Sequence, residues 1–226
     1  MPLKDDLIER TLEQLAEVVR DLRGMHAQRA AQEAERFLQD AYQEHTGTQA
    51  ELLKRLSSQQ ILNILSSAGT IDREKAFLMG ALFQAEAQLA IVRDSGDADE
   101  LKLKSYDLYL EAALAELDVE DLDDYIAALE TELDAFVLPE ETSWRRFEYA
   151  WLRGNFAEAE DKLFDLLELT LANHNEPTAR LEDRGRKFYL TLQNTSEEKL
   201  VAGGLPLEEV REGSSAFNDA LVRATS

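Results

Sequence analysis

The sequence predicts an all-α protein of antiparallel helical hairpins, and three observations carry that prediction. Apolar residues recur three and four apart almost from end to end, which gathers them on one face of a helix. No segment alternates apolar and polar residues with the β-branched enrichment of a strand. The breaks between periodic stretches are about two to six residues long, and breaks that short make consecutive helices antiparallel neighbours.

The first helix carries Leu7, Leu12, Leu15, Val18, Val19 and Leu22 at helical spacing, with Gly24 as its stop. A second helix runs from Ala27 to His45, bears Ala30, Ala34, Phe37, Leu38 and Ala41 on one side, and closes before Thr46-Gly47-Thr48. A short helix over 49–56 leads into a segment where Ser57 and Gln60 have capping-box spacing and Gly69 is the expected helix end. Asp72 caps a long helix over 73–94 whose only polar residues between Ala76 and Val92 are Gln84, Glu86 and Gln88. A helix so nearly apolar all round belongs among its neighbours, as the central element.

A turn over 94–99 leads to an amphipathic helix over 100–117 with Leu103, Tyr106, Leu110 and Leu114. Asp118 is the expected cap of the next helix, which runs to Val137. Leu138-Pro139 then ends one helix and starts another. Two long helices hinged at Gly154 follow, then a polar loop at 173–177 and a helix over 178–192. Thr195 and Glu198 have capping-box spacing, Gly203-Gly204 stops that turn, and Pro206 begins the last piece. No low-complexity linker interrupts the chain, so 1–213 reads as one domain and 214–226 as a frayed tail.

Composition narrows the function. With 226 residues, 44% of them hydrophobic, the chain can bury a sizeable core. The absence of cysteine removes disulfides, thiolate metal sites and cysteine nucleophiles together. The N-terminus lacks the basic and apolar regions of a signal peptide, and the longest apolar run, Ala76 to Phe83, is too short to span a bilayer. These features read as a soluble cytoplasmic protein. The net charge of −22 repels nucleic acid and anionic membrane. Residues 105–144 contain thirteen acids and no Lys or Arg, which reads first as a solvated helix surface and leaves room for a face for a basic partner, a divalent-cation sink or a mimic of nucleic acid.

Catalytic and metal-binding patterns are missing. None of His26, His45 and His174 has a Glu or a second His three or four residues on, as a helical metal site requires. Asp118 to Asp124 lacks the glycine and closing Glu of a calcium loop. Gly203-Gly204 is followed by no Gly-Lys-Ser/Thr, and no Gly-x-Ser-x-Gly elbow occurs. Catalytic, cofactor and metal residues are therefore all assigned as none. The island Arg180, Arg184, Arg186 and Lys187 is expected to dock its helix against acidic neighbours.

The segment Gly154-Asn155-Phe156-Ala157-Glu158-Ala159 resembles the corner of a tetratricopeptide repeat, where Gly-(Asp/Asn)-(Tyr/Phe)-x-x-Ala joins paired helices. Weaker echoes occur at 95–117 and 24–38. Over nearly its whole length the chain resembles a bacterial tetratricopeptide-like family catalogued as a domain of unknown function. The marks are the N-terminal helical pair, the 52–80 segment, the Gly-Asn-Phe corner and the ending from Glu197 to Val210. The resemblance implies a degenerate repeat stack (an α-α superhelix) and brings no reaction or ligand with it.

On this basis the expected function is a non-catalytic scaffold or adaptor for another protein, because stacked hairpins present extended surfaces. Small-ligand binding or catalysis in a pocket between helices, and a homo-oligomeric structural role, stay open beside it. Trp144, Glu148 and Trp151 are the candidate protein-binding residues, since exposed tryptophans on the first helix of a pair would anchor a partner. Against that stands their placement: Trp144, Phe147, Ala150 and Trp151 share one arc, with Arg145, Arg146 and Arg153 opposite, which describes a buried aromatic seam.

Overall fold

The computed structural model describes residues 2–24, 27–67, 69–119, 121–174 and 177–224, with backbone alone at 2–6 and 27. Twelve helices and one two-stranded hairpin make up the regular structure of these residues, so the fold is all-α. The chain divides into two compact units, Met1–Phe136 and Val137–Ser226, where its sequence suggests one domain.

The first unit contains α1 (Pro2–Arg23), α2 (Ala27–Thr46), α3 (Ala50–Arg55), α4 (Ser58–Leu65), β1 (Ser66–Ser67), β2 (Thr70–Ile71), α5 (Arg73–Arg93), α6 (Ala98–Leu114) and α7 (Leu122–Leu133). As its composition predicts, α5 is central to this unit: 13 of its 21 residues are buried, and α1, α2 and α6 all pack on it. Among the described residues it is also the one helix long and apolar enough to cross a membrane, but its apolar surface faces those neighbours. The Asp72 carboxylate accepts from the Lys75 amide at 3.2 Å and satisfies one of the helix's orphan donors. Ser57 and Gln60 form the capping box that their spacing predicts.

Two expectations in this unit fail. Gly69 does not end a helix. Helix α4 stops at Leu65, and Ser66–Ser67 pairs antiparallel with Thr70–Ile71 across a turn in which Gly69 has φ of 82°. Nor is Asp118 a helix cap. Asp121, in the left-handed conformation at φ 68°, precedes α7 instead, and α7 ends at Leu133 rather than Val137. Its buried stripe of Leu122, Ile126, Leu129 and Leu133 ends there too, so nothing apolar holds a further turn to the core.

The second unit contains α8 (Glu140–Arg153), α9 (Phe156–His174), α10 (Ala179–Gln193), α11 (Glu197–Ala202) and α12 (Leu207–Ala224). Gly154 closes α8 at φ 77°, and the Asn155 amide donates back to the Ala150 carbonyl at 3.0 Å, a left-handed helix ending that favours glycine. Ala159, Leu163, Leu166 and Leu167 then face the core, as their spacing requires. The corner is met by the chain's other distinctive segment. The Ala157 amide donates to the Gly203 carbonyl at 3.0 Å, and a Cβ on Gly203 would run into the Gly154 carbonyl and the Phe156 ring.

Two expectations fail here as well. Ser196, not Thr195, sits at the start of α11, and the Thr195 hydroxyl donates to the Thr191 carbonyl at 2.9 Å. Residues 214–224 are not frayed: α12 runs to Ala224 and buries Phe217 and Leu221. The Phe217 ring lies where a Cβ on Gly185 would be, so α10 and α12 approach closely at a residue without a side chain.

A candidate binding cleft in the first unit

A cleft of about 400 Å³ opens between helices of the first unit. One wall is α1, where Leu12, Leu15, Ala16 and Val19 follow the i, i+3, i+4, i+7 pattern of a single helical face. The other wall is aromatic and combines three helices: Phe77 of α5, Tyr109 of α6 and Tyr125 of α7. Ring centroids are 5.4 Å apart for Phe77–Tyr109 and 5.5 Å for Tyr109–Tyr125, the latter pair stacked at 23°. Offset stacking of this kind holds the rings rigidly, with Phe77 and Tyr109 buried behind and Tyr125, 39% exposed, carrying the accessible face.

The aromatic wall depends on a glycine. A Cβ at Gly80 would lie 2.7 Å from Tyr109 Cδ1, so the ring packs directly on the α5 backbone. The Ser105 hydroxyl donates to the Gly80 carbonyl at 2.8 Å and ties α6 to α5 at the same level. Tyr109 is fully buried, and burial pushes its phenol well above the ordinary tyrosine value, so it stays protonated and donates to Gln84 Oε1 at 3.0 Å.

That hydrogen bond belongs to a polar end of the cleft. Gln84 and Gln88 lie one turn apart on α5, and the Arg23 Nε donates to Gln88 Oε1 at 3.4 Å. Arg23 and Gln84 both line the cavity. Apart from the tyrosine hydroxyls its polar lining is thus one amide and one guanidinium. Among the described residues of that lining there is no carboxylate, histidine or thiol that could take a proton from a substrate near neutral pH.

A second polar cluster in the same unit is structural. Glu86 of α5, 5% exposed, pairs with Lys54 of α3 at 3.0 Å, and Lys54 also pairs with Glu51 at 3.1 Å. Burial raises the Glu86 carboxyl above its usual value despite the lysine. Burial disfavours the charge on Lys54, yet Glu86 and Glu51 hold its ammonium above the usual range. The Lys104 ammonium reaches Glu100 at 2.6 Å and donates to the Lys54 carbonyl, joining α6 to α3. The Tyr42 hydroxyl is buried nearby without a hydrogen-bond partner among the described residues. Its titration is pushed up by burial and by the Glu86 charge.

The three residues singled out from the sequence lie in the second unit, on one seam. Trp144 is 1% exposed, with the Arg180 guanidinium 4.5 Å over its ring. Glu148 pairs with Arg184 at 2.8 Å. Trp151 is half-buried and meets Phe188 edge-on at 5.4 Å. The indole of Trp144 is therefore a core side chain, and the aromatic-seam reading describes it. Arg145 departs from the helical wheel: it is 6% exposed rather than on the solvent arc. The basic island docks as expected at two positions, with Arg180 on Glu141 at 2.7 Å and Arg184 on Glu148. Arg186 pairs within its own helix, with Glu182.

His45 accepts a structural role, its Nε2 lying 2.9 Å from the Thr11 hydroxyl, which itself donates to the Leu7 carbonyl. His174 lies 3.3 Å from Glu140, and His26 falls outside the described residues. Among the described residues no group of three or more His, Asp or Glu could hold a metal ion.

Residues 2–221 match the family of unknown function DUF6483. The chain belongs to that family. No curated protein and no solved structure matches it. In this DUF6483 protein the cleft combines apolar walls with two polar side chains, Arg23 and Gln84. In the sequence Gln84 is one of three polar residues, with Glu86 and Gln88, of a nearly apolar helix, a pattern that predicts a central helix and no site. Arg23, Phe77, Tyr109 and Tyr125 carried no signal of a site either, since they come from four helices.

Proposed function

We propose that this protein binds a small amphipathic ligand in the α1–α5–α6–α7 cleft and carries out no reaction of its own. The observation that carries the reading is the lining: an aliphatic wall and a rigid aromatic wall meet at one polar end. Apolar walls with a few placed polar groups are the usual composition of small-molecule sites, and about 400 Å³ lies within their usual size. No pair of described residues in that lining offers an acid and a base with separated pKa values, which proton-transfer chemistry would need.

The test uses a neutral apolar dye. Nile red should bind saturably with a fluorescence rise, and Ala16→Trp, at an exposed position on the cleft wall, should abolish that rise without lowering the melting temperature. Unsaturable binding, or undiminished binding to the variant, would remove the cleft from consideration.

A second reading, the protein adaptor, is favoured by the α8–α9 corner, whose left-handed Gly154 and buried Ala159 resemble a degenerate tetratricopeptide repeat in the bacterial cytoplasm. Its partner would be basic, matching the acid excess of residues 105–144. The seam of Trp144, Glu148 and Trp151 would then support the binding helices from within. Enrichment of a specific basic protein by the full chain, lost at about 0.5 M salt, would favour this reading.

A further inference from the structure

The polar end of the cleft has a definite sense, and it narrows the ligand. Tyr109 Oη donates to Gln84 Oε1 at 3.0 Å. The amide is thereby turned so that its oxygen is satisfied and its Nε2 hydrogens remain to be matched. Arg23 uses its Nε on Gln88 Oε1 at 3.4 Å, which likewise occupies the glutamine acceptor and leaves the terminal guanidinium nitrogens. Among the described residues neither Gln84 Nε2 nor those Arg23 nitrogens meet a protein acceptor. Each of these glutamine oxygens already receives one protein donor, whereas the Gln84 amide N–H pair and the exposed Arg23 fork have no protein acceptor among the described residues, so donors outnumber acceptors at this end. Such a pair matches a group that only accepts, and a guanidinium in particular matches a carboxylate in bidentate fashion.

From this arrangement we infer that the cleft binds a linear or aryl monocarboxylate. Its carboxylate would meet Arg23 and Gln84, and its hydrocarbon would lie between the α1 aliphatic face and the Tyr125 ring, which the buried Phe77 and Tyr109 support from behind. The assignment rests on the cleft being the binding site, as proposed above. The remainder of the lining fits a hydrocarbon: Leu12, Leu15, Ala16, Val19 and Ala81 offer only carbon to it. The net charge of −22 opposes any anion at long range. At physiological salt that field is screened beyond about 8 Å, so a guanidinium in direct contact decides the outcome. An ammonium head group would instead meet the Gln84 N–H donors and the like charge of Arg23.

The experiment is calorimetric titration of the full chain with decanoate, decanol and decylammonium, each below its aggregation threshold. Decanoate should bind roughly tenfold or more tightly than the other two, the usual scale of a charge-assisted hydrogen bond. Arg23→Met and Gln84→Leu should each reduce decanoate to the affinity of decanol, with an unchanged far-ultraviolet circular dichroism showing that the fold is kept. Equal affinities for the three compounds, preference for decylammonium, or decanoate binding indifferent to both substitutions would overturn the carboxylate assignment. If the dye still binds in an Ala16-dependent way, the cleft survives that result. Loss of dye and decanoate binding together removes the cleft and the carboxylate alike.

Discussion

At Gly80 a single missing methyl sets the geometry of the cleft. Tyr109 Cδ1 would lie 2.7 Å from a Cβ there, and the Ser105 hydroxyl is bonded to the same peptide. Gly80→Ala is expected to lose about 1–3 kcal/mol of stability, because the ring cannot move without disturbing its stack with Tyr125. Urea unfolding followed by circular dichroism measures this, and an unchanged midpoint would show that the ring moves at no cost. Glu86 makes a separate prediction. Burial raises its carboxyl in the folded state, so between the unfolded and the folded values the native protein holds a proton there that the unfolded chain releases. Its contribution is therefore fully present below the unfolded pKa, roughly 4.3, and is lost as pH rises through the folded value. In Glu86→Gln that loss should be missing from stability measured across the mildly acidic range. A variant profile parallel to the parent's would contradict the assignment.

At the scale of elements, the α8–α9 corner shows how two glycines act as one device. Gly154 supplies the left-handed turn, and Gly203 lets the α11 end approach until its carbonyl accepts from Ala157. Gly154→Ala should cost about 1–2 kcal/mol for the backbone conformation alone. Gly203→Ala should destabilise through the carbonyl and the Phe156 ring that it would strike. Because both act on one contact, the double variant should lose less than the sum of the two singles, which a double-mutant cycle reads directly. Strict additivity would mean that the corner and the ending are independent.

Across the whole chain the two units carry different reporters. Both tryptophans lie in the second unit, and the Tyr109–Tyr125 stack lies in the first. Trp144→Ala removes a 1%-exposed side chain from the core of α8, α9, α10 and α12 and should cost that unit about 3–5 kcal/mol. Gly80→Ala should lower the circular dichroism transition of the first unit while leaving tryptophan fluorescence unfolding in place. Coincident shifts of both signals would show one cooperative unit. The boundary near Phe136 and Val137 is expected to be the first site of limited proteolysis, since Val137 is 93% exposed.

Much of this molecule was determined by local sequence chemistry. The spacing of Leu163, Leu166 and Leu167, the capping side chains Ser57, Asp72 and Thr178, and the left-handed Gly154 each act within a few residues of themselves. Those contacts can be read from one dimension, and so the all-α class and most helix limits could be. Where the reading failed, more than one local solution was open. Thr195 and Ser196 could both cap α11, Asp118 and Asp121 could both precede α7, and Phe217 alone cannot announce that Gly185 will receive it. The cleft was beyond the sequence for the same reason. Its aromatic wall joins residues 77, 109 and 125, and its donor end joins residues 23 and 84. Periodicity states which face of a helix is apolar. Only the packing of α1, α5, α6 and α7 decides which of those faces leave a space between them, and which polar groups look into it.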